Sequence, residues 1–141
     1  MPHVVIECSA NLDDLVDLDE VVRQLHESAL STGVFPLGGI RTRVHVVEHY
    51  RVADGNPANA FVHVEMAIGQ GRDLPTRRRA ADTVFHALCA VMDRTAAGQP
   101  LALSLELREL ERETSFRRNN IHDRLTPAAG RPASSEPGRY S

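Results

Sequence analysis

Hydrophobic and polar positions follow two periods along this chain, and the two periods take turns. His3 to Cys8 (HVVIEC) is short, β-branched and preceded by a proline, which predicts a strand. From Leu12 to Ser31 the apolar residues fall at Leu15, Leu18, Val22, Leu25 and Ala29, the 3,4,3,4 spacing of one helical stripe. Asp13 and Asp14 stand near its start, where carboxylates complement the helix dipole, and Gly33 is a stop signal. Phe35-Pro36-Leu37-Gly38-Gly39 predicts a loop whose two glycines can turn sharply. Ile40 to Tyr50 alternates and is rich in valine, a second strand.

The same order then recurs. Ala60 to Ile68 alternates, with Val62, Val64, Met66 and Ile68 on one face, and Gly69-Gln70-Gly71 breaks it. Pro75 lies near the start of a second helix, where proline is tolerated. Ala81, Val84, Phe85, Leu88, Val91 and Met92 form its stripe, and Gly98 and Pro100 end it. Leu101, Leu103, Leu105 and Leu107 alternate with Ala102, Ser104, Glu106 and Arg108, a strand with one buried face.

The chain is therefore two βαβ units, about 58 residues apart. Such units imply parallel pairing within each half and right-handed crossovers. The economical architecture is α/β in the α+β sense: one four-stranded sheet with both helices on one face. Residues 1–125 form one domain, with halves of about 1–58 and 59–125. The opposite sheet face carries His3, Val5, Phe61, His63, Ala102 and Ser104. That mixture is too apolar for open water and too polar for a dry core, so it suits a subunit interface. From Thr126 to Ser141 proline, glycine, alanine and serine dominate, which predicts a flexible tail.

Composition narrows the class without naming a chemistry. The 141 residues are 42% hydrophobic and 25% charged, ordinary for a soluble domain. No apolar run is long enough to span a bilayer, and no basic-then-apolar leader opens the chain. The net charge of −3 argues against nucleic-acid binding. All 16 basic residues are arginine. Cys8 and Cys89 form no metal or redox spacing, fall on apolar stripes, and fit a reducing cytoplasm.

Few residues then remain as candidates. Pro2 follows the initiator Met1, and removal of Met1 would expose a secondary amine. Such an amine serves as a base when burial and nearby cations keep it neutral. Arg41 and Arg43 are two apart on a strand and share a face; Arg72 follows Gly69-Gln70-Gly71. Arginine is the side chain suited to a bidentate grip on carboxylates. His45 and His49 are about 13 Å apart on a strand and cannot share an ion, so no metal is expected. His3 and His63 are candidates for neighbouring strands. No serine sits in a nucleophile elbow, and GQGR is too short for a dinucleotide fingerprint.

MPHVVIECSANL, TGVFPLGGIRTRVH, AFVHVEMAIGQGR and LALSLELRELERETSFRRNNIH together resemble the 5-carboxymethyl-2-hydroxymuconate isomerases, in order and over about residues 1–125. These belong to the tautomerase superfamily, in which an amino-terminal proline is the catalytic base. The resemblance implies Pro2 as that base and Arg41 and Arg72 as substrate-binding residues; Arg43 lies in a matched segment with a less defined role. It also implies a homotrimer, a tricarboxylate substrate, no cofactor, and a 1,3-proton shift in homoprotocatechuate breakdown. Asn119 to His122 (NNIH) matches as a structural or subunit-contact element. At the 58-residue offset Pro2 corresponds to Ala60, which can never offer a free amine, so each chain holds one site. The rival readings are another tautomerase isomerase, a dehalogenase, or a non-catalytic oligomer that binds small acids.

Overall fold

The computed structural model describes residues 1–125. In it the chain runs β1 (His3–Ser9), α1 (Leu18–Ser31), β2 (Arg41–Val47), β3 (Ala60–Gly69), α2 (Leu74–Thr95), β4 (Leu101–Leu110) and α3 (Ile121–Leu125). Single 3₁₀ turns occupy Ala10–Leu12 and Arg112–Thr114. Residues 126–141, for which the sequence predicts a tail, lie outside the described residues. The strands form one mixed sheet in the order β2-β1-β3-β4. β1 and β2 pair in parallel, as do β3 and β4; β1 and β3 meet antiparallel at the centre. This is the α+β arrangement that the two βαβ units predict.

One face of the sheet carries the core. Val4, Ile6 and Cys8 stand opposite Met66, Val64 and Val62, and all six side chains are buried. Val21, Leu25 and Ala29 of α1 join the same cluster, with Ala80, Val84, Leu88, Val91 and Met92 of α2. Both long helices therefore cover this face. Asp17 caps α1, its side chain accepting from the backbone N–H groups of Asp19 and Glu20. Asp73 caps α2 by accepting from Thr76 N–H, with Pro75 in the first turn. A cap contributes about 1 kcal/mol, and each fully buried Leu or Val about 1.5–3 kcal/mol. The core thus sets the rotation of each helix, and the cap sets its first residue.

Several details depart from the sequence reading. The first helix begins at Leu18, not at Leu12. Leu12 and Val16 are buried, but from the 3₁₀ turn and the loop after it, while Leu15 is 49% exposed. Val21 is the buried valine of α1, and Val22 only flanks the core. On α2 the buried alanine is Ala80 rather than Ala81. β2 stops at Val47 because β1, its partner among the described residues, ends at Ser9, directly opposite. Cys8 is in the core, whereas Cys89 is half-buried. The helices of the described residues also include the short α3.

The other sheet face is uncovered and mixed. In register it sets His3 beside Arg41, Val5 beside Arg43 and Glu65, and His63 beside Ser104. Arg108 Nε donates to Glu65 Oε1 at 2.7 Å, and His63 Nδ1 lies 2.7 Å from Ser104 Oγ. His3 and His63 occupy adjacent strands, yet His3 stands opposite Ala67 and His63 opposite Glu7, so the two are not neighbours. No helix among the described residues is long and apolar enough to cross a membrane.

Candidate active site

The antiparallel centre of the sheet gathers four chain segments at one end. β1 begins there, and His3 stands opposite Ala67 near the end of β3. β2, parallel to β1, also begins there, with Arg41 opposite His3. β4, parallel to β3, ends there, with Leu110 opposite Gly69. A cavity of about 710 Å³ opens among these ends. Its walls include Met1, Pro36, Gly69, Gln70 and three arginines, Arg72, Arg112 and Arg117, and among the described residues no acidic side chain. A second hollow of about 410 Å³ lies between α2 and β4, where Arg78 and Asp82 offset one another. It converges no set of like charges, so the chemistry points to the first.

Pro2 is buried at the head of β1. Its carbonyl accepts from Arg41 N–H at 3.1 Å, which fixes the start of β2 against the N-terminus. The two glycines before β2 give space rather than a left-handed turn, since neither has a positive φ. A Cβ on Gly39 would come 3.3 Å from Pro36 Cγ and 3.8 Å from Pro2 Cδ. A Cβ on Gly38 would occupy the place of the His122 ring. Asn119 Nδ2 donates to Gly38 O at 2.7 Å, and Asn119 Oδ1 accepts from Ile121 N–H. The NNIH segment thus closes over the glycine pair and fastens residues 115–122 beside the cavity.

Arg72 is held by the loop after β3, where Gly71 has φ +118°, a conformation that favours glycine. Its Nη1 donates to Gly69 O at 3.3 Å and its Nη2 to Val34 O at 3.1 Å. The guanidinium lies over the Phe35 ring, 5.3 Å from its centre. These contacts use two of its five donors and leave the others for a ligand. Arg41 is exposed and does not line the cavity. Arg43 points along the open face, with Nη1 3.2 Å from His3 Nδ1.

The electrostatics of this end are cationic. The terminal amine, here that of Met1, is pushed down from 8.0 to about 6, first by burial and then by the charges of Arg117, Arg72 and Arg41. His3 is also pushed down, by burial and then by Arg43 and Arg41. No group of three His, Cys, Asp or Glu side chains able to hold a metal occurs among the described residues. The residues that the sequence reading missed are Arg112 and Arg117. They belong to the segment after β4, which has no hydrophobic period, and the contact that positions it spans 81 residues, from Gly38 to Asn119.

The family profile described as 5-carboxymethyl-2-hydroxymuconate isomerase matches residues 2–125. The chain is 38% identical over 122 residues to the 5-carboxymethyl-2-hydroxymuconate Delta-isomerase of Escherichia coli, covering 86% of this chain and 97% of that one. A crystal structure of a 5-carboxymethyl-2-hydroxymuconate isomerase from Deinococcus radiodurans R1 matches with a TM-score of 0.82 and 32% identity, covering 89% of this chain and 95% of that chain. A structure described as a fused 4-OT wild type symmetric trimer matches at 14% identity and a TM-score of 0.61, over 82% of this chain and 93% of that chain, which shows a shared fold.

Proposed function

The chain belongs to the 5-carboxymethyl-2-hydroxymuconate isomerase family, and on that premise we propose how it performs the isomerisation and with which residues. It is an isomerase, and its reaction is the conversion of 5-carboxymethyl-2-hydroxymuconate to the 2-oxo isomer. The base is Pro2, freed by removal of Met1. Its neutral nitrogen takes the proton of the 2-hydroxyl group, the electrons move through the conjugated system, and the resulting ammonium returns a proton to carbon. Nothing is oxidised or reduced overall, so base, acid and fixed charges suffice.

The observation that carries this reading is the N-terminal amine at a cavity walled by arginines, held neutral down to about pH 6. After Met1 is removed, the Pro2 nitrogen becomes the terminal amine, next in the chain to the residue that lines the cavity. Arg72 grips a substrate carboxylate with the donors its backbone contacts leave free, and Arg41 adds charge from the start of β2. Both stabilise the negative charge that develops on the 2-oxygen. A dehalogenase needs an acid to activate water, and among the described residues no acidic side chain lines the cavity. The test is direct: purified chain, shown by intact mass to lack Met1, is mixed with 5-carboxymethyl-2-hydroxymuconate. Loss of the dienol absorbance with formation of the 2-oxo isomer is expected, and conversion no faster than in buffer overturns the reading.

The assembly is a homotrimer in this proposal. The uncovered sheet face carries Val5, Phe61 and Ala67 among His3, His63 and Glu65, a composition suited to burial against other copies. The fold shared with a protein described as a symmetric trimer supports the same assembly. Sedimentation equilibrium at micromolar concentration should give three times the chain mass; a monomer would refute it. The two unpaired cysteines fit a reducing cytoplasm. Arg43, on that open face beside His3, serves the interface in this arrangement and not the substrate.

A further inference from the structure

Three arginines line the cavity, and they are not equally occupied. Arg72 is engaged by two carbonyls and an aromatic ring. Arg112 Nη2 reaches Gln70 O at 3.4 Å. Arg117 Nε is buried and has no hydrogen-bond partner among the described residues. A buried guanidinium donor without an acceptor is unfavourable, and native proteins tolerate few of them. The Nε is thus held without a bond, and the Nη groups of the same guanidinium remain for an acceptor in the cavity that Arg117 lines.

The place of Arg117 is also built. Its Nη1 lies 3.9 Å from where a Cβ on Gly69 would stand, so the missing side chain lets the guanidinium lie close to the end of β3. The segment that carries it is fastened two residues later by Asn119 to Gly38. Among the charges acting on the terminal amine, that of Arg117 acts most strongly, ahead of Arg72 and Arg41. The substrate in the reading above has three carboxylates, and of the arginines legible in the sequence Arg72 lines the cavity while Arg41 and Arg43 do not.

Resting on that reading, we propose that Arg117 is a further carboxylate-binding residue of this cavity, beside Arg72. At the cavity wall the terminal Nη groups of its planar fork grip a carboxylate bidentately, the geometry for which arginine is suited. The substrate then bridges the loop after β3 and the segment after β4. A dianion of the same length would leave one of these cations unused.

Two measurements test this. The first compares Arg117→Ala and Arg117→Lys with the unaltered protein on 5-carboxymethyl-2-hydroxymuconate. kcat/KM should fall about ten- to hundredfold in the alanine variant, with partial recovery in the lysine variant, which keeps charge and bulk if alanine disturbs the fold. The second uses unreactive probes, tricarballylate and glutarate, a saturated tricarboxylate and a dicarboxylate. Calorimetry should show a preference for tricarballylate in the unaltered protein that shrinks at least fivefold in Arg117→Ala. An unchanged preference overturns the proposal, even if kcat/KM falls. If the unaltered protein leaves the muconate unconverted while the preference still collapses, the isomerase reading fails and the Arg117 assignment stands.

Discussion

Pro2→Ala should lower kcat by two to four orders of magnitude while the protein keeps its fold. That range is what a positioned acid–base group contributes. Alanine at position 2 still permits removal of Met1, so the variant presents an amine, but a primary one on a freely rotating backbone. The proline ring, by contrast, is buried, with its Cδ close to Gly39. Its nitrogen is fixed where alanine's is not. The pH dependence gives an independent reading. Burial and the charges of Arg117, Arg72 and Arg41 push the pKa of the Met1 amine down; the same cations should lower that of Pro2, and a protonated amine cannot accept a proton. kcat/KM should therefore fall on the acidic side, with a midpoint below the ordinary range of a chain-terminal amine. Titration of the 15N-labelled terminal amine should show the same midpoint. Near-normal turnover by Pro2→Ala, or full activity in a chain whose intact mass retains Met1, would remove Pro2 from the mechanism.

Arg72→Ala should reduce kcat/KM about ten- to hundredfold, the loss of a charge-assisted bond of about 1.5–3 kcal/mol. Two further effects separate this from a simple local collapse. The acidic limb of the pH profile should move upward, because Arg72 is one of the cations that keep the amine neutral. Arg72→Lys should restore that limb, since it restores the charge, but only part of kcat/KM, since lysine lacks the planar fork. Thermal stability will fall somewhat in the alanine variant, because Val34 O and Gly69 O lose a donor and Phe35 loses its covering cation. Unaltered kinetics on the tricarboxylate would defeat the role assigned to Arg72.

Strands and topology were more legible in the sequence than helix phase or the full site. Val62, Val64, Met66 and Ile68 alternate because β3 is central and buries one face completely, so the period survives in the residues. β4 alternates as clearly although its leucines are only half-buried, since it lies at an edge. The start of α1 was obscured by its own core: Leu12 and Val16 reach inward from a 3₁₀ turn and a loop, and their spacing imitates one more helical turn. The decisive sign there is Asp17, whose capping bonds periodicity does not register. At the site, Pro2, Arg41 and Arg72 stood out through the resemblance. Arg117 did not, because its position depends on a tether to Gly38 across the whole sheet, and sequence neighbours carry no trace of that distance.

The two halves match in backbone and differ in electricity. Because β1 and β3 run in opposite directions, the second half has its own counterpart of the site at the far end of the sheet. Ala60 stands there in place of Pro2. With Phe61 taken as the counterpart of His3, the strand register puts Ala102 where Arg41 stands, and the same offset puts Asp14 in place of Arg72. An amide nitrogen, a methyl group and a carboxylate replace an amine and two guanidinium groups. The sheet is therefore a geometric doublet with a single cationic pole, and the field that draws in an anion acts at one end only. A circular permutant opened between Asn59 and Ala60 would free an amine at the other pole, where no arginine stands at the matching positions to lower its basicity as Arg117, Arg72 and Arg41 lower that of the N-terminus.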